Sequence, residues 1–483
     1  MKHNAMKWIA ILVMVTMLMG LGACSAGKPA QEPVSVSTAQ DTAVKSDNVE
    51  TEASTASEKI PVKDLGGMNI VVADWWTNND AEEEPPANLR EEELRNYRND
   101  IFNTYNFTLK QKSICGWGDY LETFTTSVMA QNPSADIFVM GSGWAMSLLS
   151  QGLLYPLNTL DSIDLHESKW NSTVTDIFTS KGNAYVITFE KYIEPKNFLF
   201  FNKRLFSEAG IDPNEIYDLQ ARGEWTWDKF LEYCKKLTRD TNNDGINETY
   251  AFTGFEPEVA NGFLFSNNAQ SIGRGADGLF YNGMSEPNFL EAMQFAKNIN
   301  NLGYWCPDPE GASWDWFVTG FHDGYAAMIM REAYSASTWA DMEDDWGMVF
   351  APKGPKASDY QTYFSENVYV LPFNISKEKA EDIMFAWNLY TNPLPYDQEN
   401  PDYWKDGAYG YSRFRDTQSV DETLTMLYEG RYTPNNKDFI SNVEWGPTYE
   451  WGCILGAETV AEKVEAAKPV VDAAIEETNK SFQ

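Results

Sequence analysis

Strand-like segments alternate with amphipathic helices in the first part of the folded chain. Residues 66–74, 107–111 and 135–140 each read as a strand. A helix is predicted between the first two strands, because apolar residues recur there at spacings of three and four: Leu94, Tyr97, Ile101 and Tyr105. A second amphipathic helix is predicted near residues 118–130. This order of elements with short connections predicts an α/β layered fold.

Helix signals return later in the chain. Thr226 is placed to cap the N-terminus of a helix whose first turn contains Asp228. The apolar face of that helix is formed by Phe230, Leu231, Cys234 and Leu237. A kink is expected at Pro469 in the C-terminal helix. The apolar face of the C-terminal helix is formed by Val460, Val464, Ala467, Val471 and Ile475.

The N-terminus has the layout of an export signal. Basic residues precede a short apolar run over residues 9–21, which is too short for a comfortable membrane span. Residues 21–24 look like a bacterial lipobox, a motif in which the Cys is lipidated. We therefore expect residues 1–23 to be removed and Cys24 to become the lipid-anchored N-terminus. An ordinary signal peptide with an incidental Cys is the alternative.

The next segment favours a tether. Residues 25 to about 60 are rich in Ser, Thr, Ala, Glu, Pro and Gln and contain no aromatic residue, so they cannot bury enough apolar surface to fold. We predict a flexible linker over residues 24–64, between the membrane and the folded body. The expected location is the extracytoplasmic face of the cell membrane.

Composition limits the partners of the folded body. The remaining chain is long enough for two sizeable domains. A formal net charge of −34 argues against nucleic acids and anionic lipid head groups, and says little about a neutral ligand. Four Cys follow the lipobox: Cys115, Cys234, Cys306 and Cys453. They allow three disulfide pairings, and buried free thiols are at least as compatible with a large domain.

Catalytic motifs are weak. Only His166 and His322 remain after the expected cleavage, which leaves almost no material for a His-rich metal site or a Ser/His/Asp triad. Gly273, Gly275 and Gly278 spell GxGxxG without a clear preceding strand or following helix, so we interpret them as a flexible loop. Carboxylates are too abundant for counting to exclude a glycosidase-like acid pair. We predict no catalytic residue and no cofactor required for function.

One segment has the spacing of an ion site. Asp240, Asn242 and Asp244 alternate along the chain, Gly245 allows a sharp turn, and Glu248 follows. Alternation aims oxygen ligands at one point, as Ca²⁺ requires, although the acid comes earlier than in an EF-hand. A polar turn held by Asx-type hydrogen bonds is the alternative. Either role would be structural.

A series of short motifs follows in order along the folded body. They are residues 135–138 (ADIF), Trp144, and residues 152–157 (GLLYPL), 181–185 (KGNAY), 198–206 (FLFFNKRLF), 225–230 (WTWDKF), 325–328 (YAAM) and 351–355 (APKGP). Together they resemble the extracellular solute-binding proteins of family 1, the sugar-capturing subunits of ATP-binding-cassette importers of the maltodextrin-binding type. Each match is loose, and their order is the specific part. Insertions are expected around residues 391–440.

The resemblance implies a two-lobed periplasmic-binding-protein-like α/β fold with hinge segments between the lobes. We expect residues 65–187 with 363–395 to form lobe 1, and residues 188–362 with 396–483 to form lobe 2. The ligand would lie in the cleft between them, and the lobes would close around it by hinge motion. The expected protein is a monomer that docks on a membrane permease.

Two considerations nominate ligand-binding residues in the first lobe. Aromatic side chains suit the apolar face of a sugar, and polar groups suit its rim of hydroxyls. In open α/β sheets, ligands lie beyond the carboxyl ends of strands. That rule points to Trp76 and Asn78 after the first strand, and to Ser142 and Trp144 after the strand over residues 135–140. Their positions in the family agree.

The resemblance alone nominates further residues. Glu256 begins a stretch similar to a family segment that meets the sugar, and Glu332 and Tyr334 lie where the family often places a Trp. Trp445 lies where another aromatic platform is found, and Asn367 lies near an expected crossing segment. For each aromatic residue, packing in the core is the alternative.

The resulting hypothesis is a non-enzymatic carbohydrate-binding protein of an importer, with an oligosaccharide favoured. A binding protein for another solute, such as a peptide or polyol, is one alternative. A cell-surface glycan-degrading enzyme is a second, and a signalling partner of a surface sensor is a third. Turnover of the ligand would separate an enzyme from a binding protein.

Overall fold

The structure is a computed structural model. It describes residues 63–80, 85–86, 88–188, 194–364, 367–398, 400, 402–407, 410–440 and 443–480. The predicted export signal, Cys24 and the predicted linker through residue 62 lie outside these residues. Within the described residues, no helix combines the length and apolar character that a membrane crossing requires.

Strands and helices alternate through most of the described chain. The strands are β1 Met68–Asp74, β2 Phe107–Ser113, β3 Ile137–Gly141, β4 Thr179–Ser180, β5 Asn183–Ala184, β6 Phe198–Asn202, β7 Tyr250–Gly254, β8 Ile272–Arg274, β9 Phe280–Asn282, β10 Ala326–Arg331, β11 Trp346–Val349, β12 Thr362–Phe364, β13 Asn367–Val370 and β14 Tyr432–Pro434. The helices are α1 Leu89–Tyr105, α2 Trp117–Met129, α3 Ser142–Ser150, α4 Ser172–Ile177, α5 Lys203–Glu208, α6 Glu215–Ala221, α7 Trp227–Leu237, α8 Glu256–Ser266, α9 Pro287–Asn301, α10 Trp316–His322, α11 Lys377–Tyr390, α12 Thr425–Tyr428 and α13 Val460–Lys480.

The first sheet has the strand order β13-β3-β1-β2. β1 is parallel to β2 and β3, and β13 is antiparallel to β3 with Asn367 opposite Gly141. Ile70 and Val72 on one face of β1 pack in a core with residues of α1 and α11. Ala73 on the other face packs in a core with residues of α2 and α3. Because both faces are covered, β3 can be an almost uninterrupted apolar run.

The second sheet has the strand order β11-β6-β10-β7. β7 and β10 are parallel, whereas β6 is antiparallel to both β10 and β11. All residues of β6 are buried, including Phe198, Phe200 and Phe201. The carboxyl ends of β7 and β10 therefore lie at the same edge as the start of β6.

Each sheet and its helices form one lobe, as the sequence predicts. The chain completes β1 to β3 in the first sheet, builds the second sheet, and returns to the first sheet with β13. It then returns to the second lobe, where α13 packs against β9 and α9. The lobes are thus joined by several crossing segments. The residue limits given above for the lobes stay predictions.

Local sequence signals explain the helix ends. The N-cap Asn88 accepts a hydrogen bond from the Glu91 amide at 2.9 Å, and Asn106 ends α1 in the left-handed conformation at φ 54°. Thr226 caps α7 as predicted, because its side chain accepts from the Lys229 amide. Pro469 lies inside α13, whose predicted apolar face is buried.

Side chains from the predicted insertion cover the edge strand β11. The Met348 amide donates to Ser419 Oγ at 2.9 Å and to the Tyr217 hydroxyl at 3.2 Å. Thr423 Oγ1 donates to the Met348 carbonyl at 2.8 Å. Ser419 and Thr423 lie within residues 391–440. This segment therefore satisfies backbone groups that an uncovered sheet edge would expose.

Two sequence interpretations are resolved by the fold. The loop interpretation of the GxGxxG run is wrong for Gly273, which belongs to β8 and pairs with Tyr281 of β9 in an antiparallel hairpin, whereas Gly275 and Gly278 lie in the turn between the two strands. The four Cys in the described residues are free thiols, and three of them are buried. Burial raises the pKa of Cys306 to about 12, so that thiol is inert at neutral pH.

Candidate ligand-binding cleft

Four tryptophans meet at the edge of the first sheet where β1, β2 and β3 end. We call this the first edge. Trp75 and Trp76 follow β1, Trp117 begins α2 after β2, and Trp144 lies in the first turn of α3 after β3. The Trp75 ring centroid is 4.8 Å from those of Trp76 and Trp117 and 5.5 Å from that of Trp144. The centroids of Trp117 and Trp144 are 4.1 Å apart.

A buried carboxylate fixes the turn that presents Trp76. Asp74 ends β1 and is fully buried. It accepts hydrogen bonds from the Trp76 amide at 3.2 Å, the Thr77 amide at 3.0 Å and Gln111 Nε2 at 2.7 Å. The last bond ties the turn to β2, so the chain leaves β1 in one fixed direction.

Two of these indoles are open to solvent. Trp76 is 51% exposed and Trp117 is 55% exposed. In the second lobe, by contrast, Trp225, Trp339 and Trp346 are fully buried. Large exposed aromatic side chains that share one cluster form a surface able to stack against an apolar ring face.

The first edge holds five of the nine residues nominated from sequence. Besides Trp76 and Trp144, Ser142 begins α3 and is buried, and Asn367 is exposed opposite Gly141. Asn78 is exposed and accepts from the Asp80 amide at 3.1 Å. Sequence reasoning missed Trp117. The carboxyl-end rule would have found it, since it lies just beyond β2.

Charged side chains line the corresponding edge of the second sheet, where β7 and β10 end and β6 begins. We call this the second edge. Lys196, which is buried just before β6, donates to Glu194 at 2.8 Å and to Glu332 at 3.1 Å. Glu332 is one of the nominated residues. Its carboxylate is thus held by a fixed cation at the edge.

Arg331 organises the rest of the second edge. Its guanidinium pairs with Glu258, donates to Ser335 Oγ at 3.1 Å and donates to the Tyr334 hydroxyl at 2.9 Å. Burial raises the pKa of Glu258 and the nearby Glu332 adds to the rise, whereas Arg331 opposes it. The network fixes the nominated Tyr334, which remains partly exposed.

Aromatic rings also reach the second edge. Phe255 directly follows β7, and its ring centroid lies 6.1 Å from that of Trp314 and 5.9 Å from that of Phe317. Trp314 is 77% exposed. Each lobe therefore presents at least one open indole beside fixed polar groups, which is the mixture that a ligand with ring faces and hydroxyls requires.

A cavity of about 740 Å³ is lined by both lobes. Arg90 and Leu94 of α1 contribute from the first lobe. Ser337, which follows Tyr334, and Arg413, which donates to the Tyr334 carbonyl at 3.3 Å, contribute from the second lobe. None of the nine nominated residues and none of the four tryptophans of the first edge lines this cavity.

Two nominated residues are engaged elsewhere. Glu256 begins α8 at the second edge, but its carboxylate accepts from the amides of Gly452, Ile454 and Leu455 at 2.9, 3.0 and 2.7 Å. Trp445 is part-buried against the core, with Lys437 Nζ 5.8 Å from its ring centroid. The structure gives both residues structural contacts, and their role in ligand binding stays a prediction.

The nominated ion-binding residues form a tight loop after α7. Oxygen atoms of Asp240, Asp244 and Glu248 lie within 4.8 Å of one another. Asp240 accepts from the Gly245 amide at 2.8 Å, and the Thr241 amide donates to Glu248 at 2.6 Å, which lowers the pKa of Glu248. The nominated Asn242 donates from Nδ2 to Asp244 and to Glu248. This geometry fits a Ca²⁺ site and a self-supporting polar turn equally well.

Comparison with known proteins identifies one family and several similar structures. The sequence pattern of the family described as bacterial extracellular solute-binding protein matches residues 97–391. No curated protein matches the chain.

Three solved structures illustrate the structural similarity. An ABC substrate-binding protein from Listeria monocytogenes, in complex with cycloalternan, is 16% identical, with 86% of this chain and 98% of that chain covered and a TM-score of 0.56. A cyclic alpha-maltosyl-1,6-maltose binding protein from Arthrobacter globiformis is 15% identical, with 85% and 100% covered and a TM-score of 0.58. UgpB from Mycobacterium tuberculosis, in complex with glycerophosphocholine, is 17% identical, with 86% and 99% covered and a TM-score of 0.59. At these identities the similarity shows the fold alone, and the solutes differ among the three.

Proposed function

Because the chain belongs to the family of bacterial extracellular solute-binding proteins, we propose that it captures a carbohydrate between its two lobes. An oligosaccharide is the favoured ligand. The first and second edges would contact it from opposite sides, and the lobes would close around it by hinge motion.

The observation that carries this proposal is the tryptophan cluster of the first edge. Trp76 and Trp117 leave indole surface exposed while Trp75 and Trp144 support them from behind. An exposed indole stacks well on the apolar face of a sugar ring. Since both indoles contact Trp75, they belong to one aromatic surface, which suits a ligand with more than one ring.

Polar groups of both lobes support the same ligand class. Asn367 and Ser142 at the first edge and Glu332 and Tyr334 at the second edge supply donors and acceptors for sugar hydroxyls. Glu332 and Tyr334 are already oriented by an ion pair and a hydrogen bond within the chain. Such preorganisation reduces the entropy that binding would cost.

Membership of a binding-protein family supports capture without turnover. We therefore propose that the bound carbohydrate is released unchanged to the permease of an ATP-binding-cassette importer. Lipidation at Cys24 would keep the protein at the extracytoplasmic face of the membrane, with residues 24–64 as its tether. The protein would act as a monomer.

We also propose a structural Ca²⁺ in the loop of Asp240, Asn242, Asp244 and Glu248. The clustered oxygen atoms support it. Hard oxygen ligands at alternate positions are what Ca²⁺ requires. The ion would stiffen the connection between α7 and β7 and would have no part in ligand capture.

A thermal-shift screen tests the proposed function. The protein is melted with mono- and oligosaccharides, peptides and polyols, each at the same concentration. A ligand that binds the native state raises the melting temperature by mass action. We expect a rise with one class of glycan. A rise with peptides or polyols alone would refute the carbohydrate assignment, and release of a smaller sugar would reveal an enzyme.

A further inference from the structure

A second cavity, of about 630 Å³, lies within the second lobe. It is bounded by the β8–β9 hairpin, the end of α8, residues 357–361 and residues 433–436. None of the residues described above at the first or second edge lines it. Phe265 forms part of its wall, and its ring centroid lies 4.8 Å from that of Tyr363. The lining of this cavity is thus distinct from the residues described at the two edges.

One aromatic ring is held open at this cavity. Tyr281 lines the cavity and is 44% exposed. It lies opposite Gly273 across the hairpin, where a Cβ on Gly273 would collide with the tyrosine ring. One face of the ring is therefore backed by the glycine, which is the arrangement in which an aromatic residue covers a cross-strand glycine. The rest of the ring is exposed as a fixed platform.

Amide side chains dominate the rest of the lining. The cavity residues Asn268, Gln270, Asn288, Gln361 and Asn436 all carry them. Gln270 Oε1 accepts from the Asn436 amide at 3.2 Å, which orients that side chain. Among the described residues, the side-chain amide of Gln361 and Nε2 of Gln270 have no hydrogen-bond partner. The cavity thus offers oriented donors and acceptors for a polar ligand.

Most charged side chains around the cavity are engaged within the protein. Arg274 stacks over the Phe280 ring at 5.4 Å and donates to the Gly278 carbonyl at 3.0 Å. Asp359 is paired with Arg431 at 3.0 Å. Glu286 is the remaining charged residue of the lining. An anionic or strongly cationic ligand would therefore gain little, whereas a neutral polyhydroxylated ligand matches both the amides and the tyrosine platform.

We propose that this cavity is a second carbohydrate-binding site, which takes a short neutral saccharide by stacking on Tyr281 and hydrogen bonding to Gln361 and its neighbouring amides. The ligand class comes from the lining of the cavity itself and does not rest on the function proposed for the cleft. If the protein also captures a glycan in its cleft, the cavity would hold either a second saccharide molecule or a distant part of the same long glycan.

Calorimetric titration of the full chain with maltotriose, cellotriose, xylotriose and mannotriose tests the proposal. Two variants address the cavity. Tyr281→Ala removes the platform, and Ser358→Trp fills the cavity from an exposed position that makes no hydrogen bond in the described structure. Trp117→Ala addresses the cleft, and Ser207→Trp on α5 is a control for adding an indole to the surface. Melting temperatures verify that each variant is folded.

We expect at least one trisaccharide to occupy two sites, with Tyr281→Ala and Ser358→Trp each weakening one of them about tenfold or more, which corresponds to about 1.4 kcal/mol. Ser207→Trp should leave the affinity of both sites unchanged. A single site lost only in Trp117→Ala would overturn the second site and leave the proposed function intact. If only one site is found, and only Ser358→Trp and Tyr281→Ala abolish it, the cavity is a carbohydrate-binding site. The same result would contradict carbohydrate capture in the cleft. Absence of binding by all four sugars would overturn both.

Discussion

At the scale of single residues, the cleft depends on two indoles that the fold leaves uncovered. Trp76 and Trp117 expose surface that a core tryptophan would bury, and they contribute little to packing on that side. Removing either should therefore affect ligand binding much more than stability.

We predict that Trp76→Ala and Trp117→Ala each weaken carbohydrate binding about tenfold or more, equivalent to about 1.4 kcal/mol, because each removes a stacking surface. Calorimetric titration measures the change. Leu302→Ala removes an apolar side chain that is 56% exposed at the end of α9 and should leave affinity unchanged. If the unsubstituted protein, Trp76→Ala, Trp117→Ala and Leu302→Ala all bind with the same affinity, the first edge is not the binding surface.

Gly143 is required by a contact between α3 and the segment around Asp438. A Cβ on Gly143 would lie 2.9 Å from the Asp438 carbonyl oxygen, so one backbone would have to shift. We predict that Gly143→Ala lowers the free energy of unfolding by about 1–3 kcal/mol, measured by urea denaturation.

Gly118→Ala is the matched control for that substitution. No atom lies within 4 Å of a Cβ at Gly118, which is in the first turn of α2. Alanine should stabilise that helix by up to about 1 kcal/mol. If the Gly143→Ala and Gly118→Ala proteins have the same free energy of unfolding, the segment around Asp438 accommodates a Cβ at Gly143 without loss of stability.

The role of a residue could be predicted from sequence only where it depends on the residue's position relative to a nearby strand or helix. Trp76 and Trp144 follow strands directly, so the carboxyl-end rule reaches them, and it would have reached Trp117. The hydrogen bonds of Glu256 join it to residues 452–455, almost two hundred positions away, and no local pattern encodes them.

At the scale of elements, the edge strand β11 shows how the predicted insertion is used. Thr423 donates to the Met348 carbonyl at 2.8 Å and accepts from Gln220 Nε2 at 2.9 Å, and all three residues are buried. Thr423 thus supplies side-chain hydrogen bonds where a neighbouring strand would otherwise pair with β11. Removing one hydroxyl should leave buried groups unsatisfied.

We predict that Thr423→Val, which keeps the side-chain shape, lowers the free energy of unfolding by about 1–3 kcal/mol. Thr417→Val changes an exposed residue of the same segment that makes no side-chain hydrogen bond in the described structure, so its effect should stay within about 0.5 kcal/mol. Urea denaturation of both variants compares them. Equal stability would show that water replaces the Thr423 hydroxyl.

Elements with strong local signals were predicted correctly, whereas the β8–β9 hairpin was not. Capping residues and apolar periodicity locate α1, α7 and α13. The β8–β9 hairpin escaped prediction because its strands are only three residues long and β8 contains a glycine. Their stability depends on Tyr281 covering Gly273 and on Asn479 of α13, which accepts from the Phe280 amide at 2.8 Å.

At the scale of the whole molecule, the alternation of strands and helices was enough to predict an α/β fold, and the order of family motifs was needed to predict two lobes. The return of β13 to the first sheet depends on a pairing between residues far apart in the chain. Sequence spacing alone does not encode that pairing.

The proposed Ca²⁺ acts on global stability. We predict that EDTA lowers the melting temperature and that excess Ca²⁺ restores it, since an ion bound only to the native state stabilises it by mass action. Asp244→Asn should remove the response, whereas Asp277→Asn, at an exposed turn, should keep it. An unchanged melting temperature with EDTA would identify the loop as a polar turn.

The most direct test of the account is a tryptophan fluorescence titration of the protein with the panel of oligosaccharides, followed by recovery of the sugar. The account predicts a saturable change that reports one ligand in the cleft, is reduced in Trp117→Ala, and leaves the sugar intact. A panel that produces no change, or a sugar recovered as shorter fragments, would contradict carbohydrate capture between the lobes.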